Sequence, residues 1–305
     1  MQAEKRGWYA NPYLLLTLTA LFWSGNMVLG RGIRADIPPI ALAFWRWSIA
    51  LLLVLPLAWP HWRQQRHLLA GHWPALLILA ALGIAGYNTL AYLALQTTTA
   101  TNAVLLNSFI PVATITLAWL LFKKHLGQLE GLGVLVSLLG ALTIVTRGNP
   151  ATLAQLTLNG GDLWMLGAVL VWACYTLGLQ FRPPGLAPML LLALLIALGL
   201  AMLLPIYLWE LAQGRSMNVH LGSLLSLAYV GIFPSFVGYI FYNRGVMEVG
   251  ASRASLFIHL MPVFGTLLAA LFLDERPATY HLAGIALIFL GIGMATHSPL
   301  RKPAR

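Results

Sequence analysis

Acidic residues are scarce in this chain: Asp and Glu number 8 in 305 residues, against 18 Lys and Arg. None stands in the middle of a long apolar run; Asp162, Glu210 and Glu248 all fall near run ends. That absence argues against a buried counter-charge for a cationic substrate. It also argues against the carboxylate relay that proton-coupled carriers use. Cys174 is the single cysteine, so an intrachain disulfide is excluded. The chain has no HExxH or CxxC spacing, no phosphate-cradling glycine loop and no sign of a catalytic triad. His61, His67 and His72 lie close together in sequence, but their spacing fits no metal pattern and reads as a solvated inner loop. No metal or cofactor is expected, and an enzyme loses its usual supports.

Charge of either sign is also sparse. Charged residues make up 9% of the chain, where a soluble domain carries about 25%. Apolar residues make up 59%, and the mean hydropathy is +0.80. So little polar surface cannot coat a water-soluble globule. A membrane span needs about 20 mostly apolar residues. Ten such stretches occur, near 12–30, 38–59, 74–96, 100–122, 128–146, 161–181, 188–209, 221–243, 251–273 and 281–297. Loop chemistry separates them at Asp36-Ile-Pro-Pro, Pro60-His-Trp-Arg, Thr97-Thr-Thr, Arg147-Gly-Asn-Pro and Arg182-Pro-Pro-Gly. The gap at Thr97 is so short that spans three and four must form a tight antiparallel hairpin. Lys5-Arg6 ahead of the first run resembles a signal peptide, but the absence of a small-residue cleavage site favours a retained span.

The net charge of +10 reads as topology rather than nucleic-acid binding. With the N-terminus inside, the inner face holds twelve basic residues: Lys5, Arg6, Arg63, Arg66, Lys123, Lys124, Arg182, Arg244, Arg253, Arg301, Lys302 and Arg305. The outer face holds five: Arg31, Arg34, Arg147, Arg215 and Arg276. This obeys the positive-inside rule and puts both termini in the cytoplasm. The outer pair Arg31 and Arg34 has no explanation in the sequence. Trp8, Trp59, Trp62 and Trp73 lie near span ends and read as interfacial anchors.

The chain also contains itself twice. Shifted by 151 residues, Ala100–Gly140 lies on Ala251–Gly291 without a gap, with 11 of 41 positions identical. Pro111/Pro262, Gly133/Gly284 and Gly140/Gly291 are among them. A shift of 149 aligns Trp23/Trp172, Pro39/Pro188 and Pro56/Pro205. Residues 1–148 and 160–298 thus read as two five-helix repeats, followed by a basic cytoplasmic tail, 299–305. Five spans is an odd number, so the second repeat must enter from the opposite face. The loop charges agree: Lys123-Lys124 aligns with Asp274-Glu275. The expected fold is an all-α integral membrane protein, with ten transmembrane helices as two inverted repeats around a central cavity. Function is expected where the halves meet, near the bilayer midplane.

Polar groups inside spans should face that interior. They include Trp23, Ser24 and Asn26 in span one, and Tyr87, Asn88 and Tyr92 in span three. Span four offers Asn107 and Ser108, and span six Trp172 and Tyr175. Span eight offers Ser235, Tyr239, Tyr242 and Asn243, and span nine Ser252, Ser255 and His259. Trp23, Asn26, Tyr87, Asn88, Tyr92, Asn107, Ser108, Trp172, Tyr175, Tyr239 and His259 are the candidate substrate-binding residues. Against this, Asn and Ser in a span are often interhelical glue, and a lone His is more often a packing residue. Pro111 and Pro262 fall mid-span at matching positions, where a proline bends a helix; as a pair they suggest a hinge or gate. Gly133, Gly140, Gly284 and Gly291 read as close helix packing. Arg46, inside span two, could hold a substrate carboxylate. Its repeat counterpart is Leu195, outside the symmetric pattern, which favours a structural role through snorkelling or backbone carbonyls.

Leu21-Phe-Trp-Ser-Gly-Asn, Phe44-Trp-Arg-Trp, the run Tyr242-Asn-Arg-Gly-Val-Met-Glu-Val-Gly-Ala-Ser-Arg-Ala, Met261-Pro-Val-Phe and Asp274-Glu resemble the EamA-type drug/metabolite transporter superfamily. The resemblance covers nearly the whole chain. Within that superfamily the chain is most similar to YddG-type exporters of aromatic and other neutral amino acids. The resemblance implies a bacterial-type inner-membrane carrier whose cavity is formed by spans one, three, four, six, eight and nine. Lys123-Lys124 departs from the family's acidic loop. The expected function is export of amino acids by alternating access, with a small-molecule substrate and membrane lipid as partners, no nucleic acid, and a monomeric state. Efflux of drugs or other metabolites is the alternative, and a membrane transferase a more remote one.

Overall fold

Several helices start where a side chain ahead of an apolar run satisfies free backbone N–H groups. The computed structural model describes residues 11–151, 159–272 and 278–297. Asn11 Oδ1 accepts from the Tyr13 and Leu14 amides at 3.0 and 3.4 Å, starting α1, Pro12–Gly32. Asn159 and Asp162 cap each other's backbone at the start of α6, Gly160–Gly178. His220 and Ser223 do the same for α8, Leu221–Val249. The remaining spans are α2 Pro39–Gln65, α3 Trp73–Thr97, α5 Gln128–Val145, α7 Pro188–Ala212 and α10 Thr279–His297. Among the described residues, ten helices are long and apolar enough to cross a membrane.

Spans four and nine are broken. The first consists of α4a, Ala100–Asn107, and α4b, Ile110–Phe122. The second consists of α9a, Ala251–Leu256, a 3-10 turn, Phe257–His259, and α9b, Leu260–Phe272. Pro111 and Pro262 therefore do not kink a continuous helix from its middle. Each sits in the first turn of the second half-helix, where the missing N–H has no acceptor to serve. The pairing suggested from the repeat holds, but as two matching breaks.

Three sequence readings need correction. Helix α2 runs through Pro56 and Pro60 to Gln65, beyond the expected end at 59. Both prolines lie on its exposed face, and a membrane helix tolerates prolines that a soluble one would not. His61 consequently sits on α2, His67 in a 3-10 turn, Arg66–Leu69, and His72 just before α3, so the three share no open loop. Helix α8 extends to Val249, six residues past the reading from hydropathy, because Tyr242 to Glu248 dilutes the apolar signal without breaking the helix. Trp59 and Trp73 are exposed as interfacial anchors should be. The unexplained Arg31 donates from Nη1 to the Leu95 carbonyl at 2.6 Å and caps the end of α3. Lys5, Arg6, Trp8, Asp274, Glu275, Arg276 and the tail 299–305 lie outside the described residues.

The two repeats interlock. Helix α2 packs along α7, and α5 along α10, each helix against its own counterpart. Glycine makes the second contact possible. A Cβ on Gly133 would lie 2.5 Å from the Gly291 carbonyl oxygen, and one on Gly140 would lie 2.6 Å from that of Gly284. Small residues let membrane helices approach at backbone distance. Helix α3 packs on α6, and α8 on α1, completing a bundle in which five-helix halves run in opposite senses.

Candidate functional site

A residue can touch its own repeat counterpart only on the axis that relates the repeats. Among the described residues, pairs from three helix couples do so. Trp23 and Trp172 meet edge to face with centroids 5.0 Å apart. Asn88 Nδ2 donates to the Tyr239 hydroxyl at 3.1 Å; the two are counterparts when the 151-residue register is carried back through the α3–α4 and α8–α9 hairpins. His259 Nε2 donates to the Ser108 carbonyl at 2.9 Å. These contacts mark the axis through α1/α6, α3/α8 and α4/α9, the level at which inverted-repeat carriers place their sites.

Two departures from regular helix shape the axis. Residues Ala81–Gly86 of α3 and Gly231–Val237 of α8 form single wide π turns at matching positions. Such turns are frequent at functional sites. Here they present carbonyls to the axis: Gly83 accepts from Tyr239 Oη at 2.6 Å, Ile84 from Trp47 Nε1 at 3.0 Å and Pro234 from Trp23 Nε1 at 3.0 Å. Each aromatic polar tip is thus satisfied without water.

The aromatic rings converge on Trp172. Tyr87, Tyr175, Tyr239 and Tyr242 lie with centroids 4.6, 5.1, 5.5 and 5.2 Å from it. Trp172 Nε1 donates to Tyr242 Oη at 3.3 Å, and Tyr175 Oη donates to Asn243 Oδ1 at 2.9 Å. A crevice too narrow to admit a water molecule lies between Trp23 and Tyr242 and the apolar Leu16, Ala254, Phe257 and Ile258. Five of the candidate residues, Trp23, Tyr87, Trp172, Tyr175 and Tyr239, therefore belong to one cluster. Asn107 joins it through its Oδ1, which accepts from Tyr87 Oη at 3.4 Å.

Beside the rings lies a polar knot centred on Arg46. Its Nε donates to Ser235 Oγ at 2.6 Å, and its Nη1 to Asn88 Oδ1 at 2.7 Å and Asn26 Oδ1 at 3.4 Å. Nη1 also donates to the Tyr92 hydroxyl, which in turn donates to Asn26 Oδ1 at 2.7 Å. Arg46 is 1% exposed, and neither snorkels nor binds backbone carbonyls. The structural reading of Arg46 rested on its lack of a symmetric partner. The partners of Arg46 come from both halves, Asn26, Asn88 and Tyr92 from the first and Ser235 from the second.

Ser108 and His259 stand apart from the rings. Ser108 Oγ donates to the Val104 carbonyl, and His259 holds the Ser108 carbonyl and, through Nδ1, Ser137 Oγ at 2.8 Å. They tie the breaks of α4 and α9 to each other and to α5. The acids are engaged elsewhere. Glu210 accepts from the Ile40 and Ala41 amides at 3.2 and 2.7 Å, capping α2. Asp162 accepts from Thr98 Oγ1. Among the described residues no group of His, Cys, Asp and Glu gathers as a metal site.

Comparison with known proteins agrees with this architecture. An uncharacterized transporter, YyaM, of Bacillus subtilis (strain 168) is 26% identical over 93% of both chains. An uncharacterized transporter of Archaeoglobus fulgidus is 27% identical over 94% of this chain and 98% of its own length. A solved structure, titled only as the crystal structure of a protein, superposes with a TM-score of 0.75 over 93% of this chain and 96% of its own, at 18% identity; that shows a shared fold. The model of the EamA-like transporter family matches twice, at residues 11–146 and 159–296. The chain is a multi-pass membrane protein and belongs to the EamA-like transporter family.

Proposed function

We propose that this transporter exports amino acids, aromatic and other neutral ones above all, by alternating access through the axial cluster. The carrying observation is the set of rings around Trp172 beside the knot of Arg46, Asn26, Asn88 and Tyr92. Stacked and edge-to-face rings suit an apolar or aromatic side chain. The neighbouring hydrogen-bonding groups suit a zwitterion. Efflux of cationic drugs fits less well, because the buried charge beside the rings is positive.

Alternating access finds support in a broken symmetry. Helix α9a packs on α4b, whereas among the described residues no comparable packing joins their counterparts, α4a and α9b. The bundle is thus tighter on the side of Glu130 and Arg253, joined at 2.7 Å. We take that side as cytoplasmic, because the larger share of basic residues falls there, with both termini inside an inner membrane. Exchange of the two packings between the repeats would open this side and close the other.

The decisive measurement is flux of radiolabelled Trp, Phe, Met and Thr in proteoliposomes. Saturable transport of at least one, with mutual competition, is the expected result. Saturable transport of a different metabolite with no amino-acid flux would sink the proposal.

A further inference from the structure

Among the described residues, no acidic side chain answers the buried positive charge of Arg46. Its hydrogen-bond partners, Ser235, Asn26, Asn88 and Tyr92, are all neutral. The rings of Trp47 and Tyr92 lie 5.2 and 5.6 Å from its guanidinium carbon. The described acids are all engaged by other groups: Asp36 by His220, Glu130 by Arg253, Asp162 by Thr98, Glu210 by the start of α2, and Glu248 by Arg244. Arginine cannot shed its proton in a protein. An ion at membrane depth without a counter-charge is costly, and polar neighbours offset only part of that cost.

The geometry also leaves a donor unused. Nε and Nη1 are both occupied, while Nη2, with two N–H groups, has no hydrogen bond. The group is held by side chains from α1, α3 and α8, so its free edge is fixed in direction before any ligand arrives. A second unused donor belongs to the ring cluster. Asn107 is 1% exposed and its Nδ2 has no partner, while its other end meets Tyr87, the neighbour of Asn88 in α3. Buried polar groups normally find partners, so the unpaired amide of Asn107 and the open edge of Arg46 are placed to meet an acceptor brought by a ligand.

We infer that Arg46 binds the carboxylate of the transported substrate. The substrate class is then an organic carboxylate with an apolar or aromatic body, and the uncharged amide of the same body is rejected. Arginine suits this task because its planar fork matches a carboxylate. The inference rests on the reading that the axial cluster is the transport site, and it deepens that reading by naming the group recognised.

Binding separates it from the export proposal. The purified full chain in detergent is titrated with L-phenylalanine, 3-phenylpropanoate and 3-phenylpropanamide, with affinity read by calorimetry or thermal stabilisation. The two acids are expected to bind about ten- to a hundredfold more tightly than the amide, the range for a hydrogen bond to a charged group. Arg46→Gln should bring that ratio close to one, and Arg46→Lys should retain part of it. A role confined to packing would weaken acid and amide alike. Equal binding of acid and amide, binding of neither, or an acid preference that survives in Arg46→Gln would overturn the inference. So would saturation by chloride alone with no acid preference, which would make Arg46 the seat of a resident counter-ion. If Arg46→Gln fails to fold, the wild-type ratio and Arg46→Lys still decide. Acid-selective binding without flux in proteoliposomes would leave Arg46 in this role and remove the export reading instead.

Discussion

The imidazole of His259 donates from Nε2 to the carbonyl oxygen of Ser108 at 2.9 Å, and the two residues are counterparts in the repeat, 151 positions apart. A carbonyl only accepts, so Nε2 bears the hydrogen and Nδ1 is left to meet Ser137 Oγ. The bond ties the end of α4a to the turn before α9b. Any rearrangement of one broken helix therefore strains the other.

His259→Leu keeps the bulk and removes both hydrogen bonds, leaving the buried Ser108 carbonyl without this partner. The expected cost is about 1–3 kcal/mol, with a lower melting temperature and reduced flux. His259→Gln, which retains a donor and an acceptor, should be milder in both. Equal behaviour of the two variants in melting and flux would reduce the ring to a space-filler.

The ten spans, the two halves and the rings at their meeting were legible because composition and periodicity record them directly. Trp23 and Trp172 announced themselves by repeat position, and they do touch. What escaped was whatever depends on backbone detail. The π turns at Ala81–Gly86 and Gly231–Val237 leave almost no mark on hydropathy, since a wide turn and a regular one are built from the same apolar residue types. The partners of Arg46 were hidden because sequence symmetry does not record contact: a residue outside the repeat pattern is bonded from three helices. Pro111 and Pro262 marked the right places, but a proline in a sequence does not say whether it bends a helix or begins one.

The close approach of α5 and α10 makes a contrast between glycines of one helix. At Gly140 a Cβ would lie 2.6 Å from the Gly284 carbonyl oxygen, whereas at Gly131 nothing lies within 4 Å. Gly140→Ala should destabilise by about 1–3 kcal/mol, as overpacking does. Gly131→Ala should be neutral or stabilising, since alanine favours a helix by up to about 1 kcal/mol. Thermal melts of both variants check this, and equal melts would show that the helices can spread at no cost.

A pH gradient should drive little flux. The described acids cap helices or pair with arginine or histidine away from the axial cluster, and His259 has both ring nitrogens engaged. No side chain at the axial cluster is thus placed to take a proton up on one face and release it on the other. Accumulation of substrate driven by an imposed proton gradient alone would contradict this and point to His259 as the carrier of the proton.

Glu130 joins two duties at the tighter end of the bundle. One carboxylate oxygen accepts from the Gly127 amide at 3.3 Å and the other from Arg253 Nε at 2.7 Å. The capping duty is symmetric: His281, its counterpart, accepts from the Ala278 amide at 2.9 Å. The ionic duty is not, since the counterparts of Glu130 and Arg253 are His281 and Asn102. Closure on this side therefore carries an ion pair that closure on the other cannot form. Glu130→Gln should shift the balance toward opening here, by a factor of ten for every 1.4 kcal/mol lost. The readout is thiol labelling of Ser255→Cys in a Cys174→Ser background, because Ser255 is fully buried in α9a while this side stays closed. Faster labelling with Glu130→Gln is the expected outcome. An unchanged rate would mean that apolar packing of α9a on α4b holds this side shut without help from the charge.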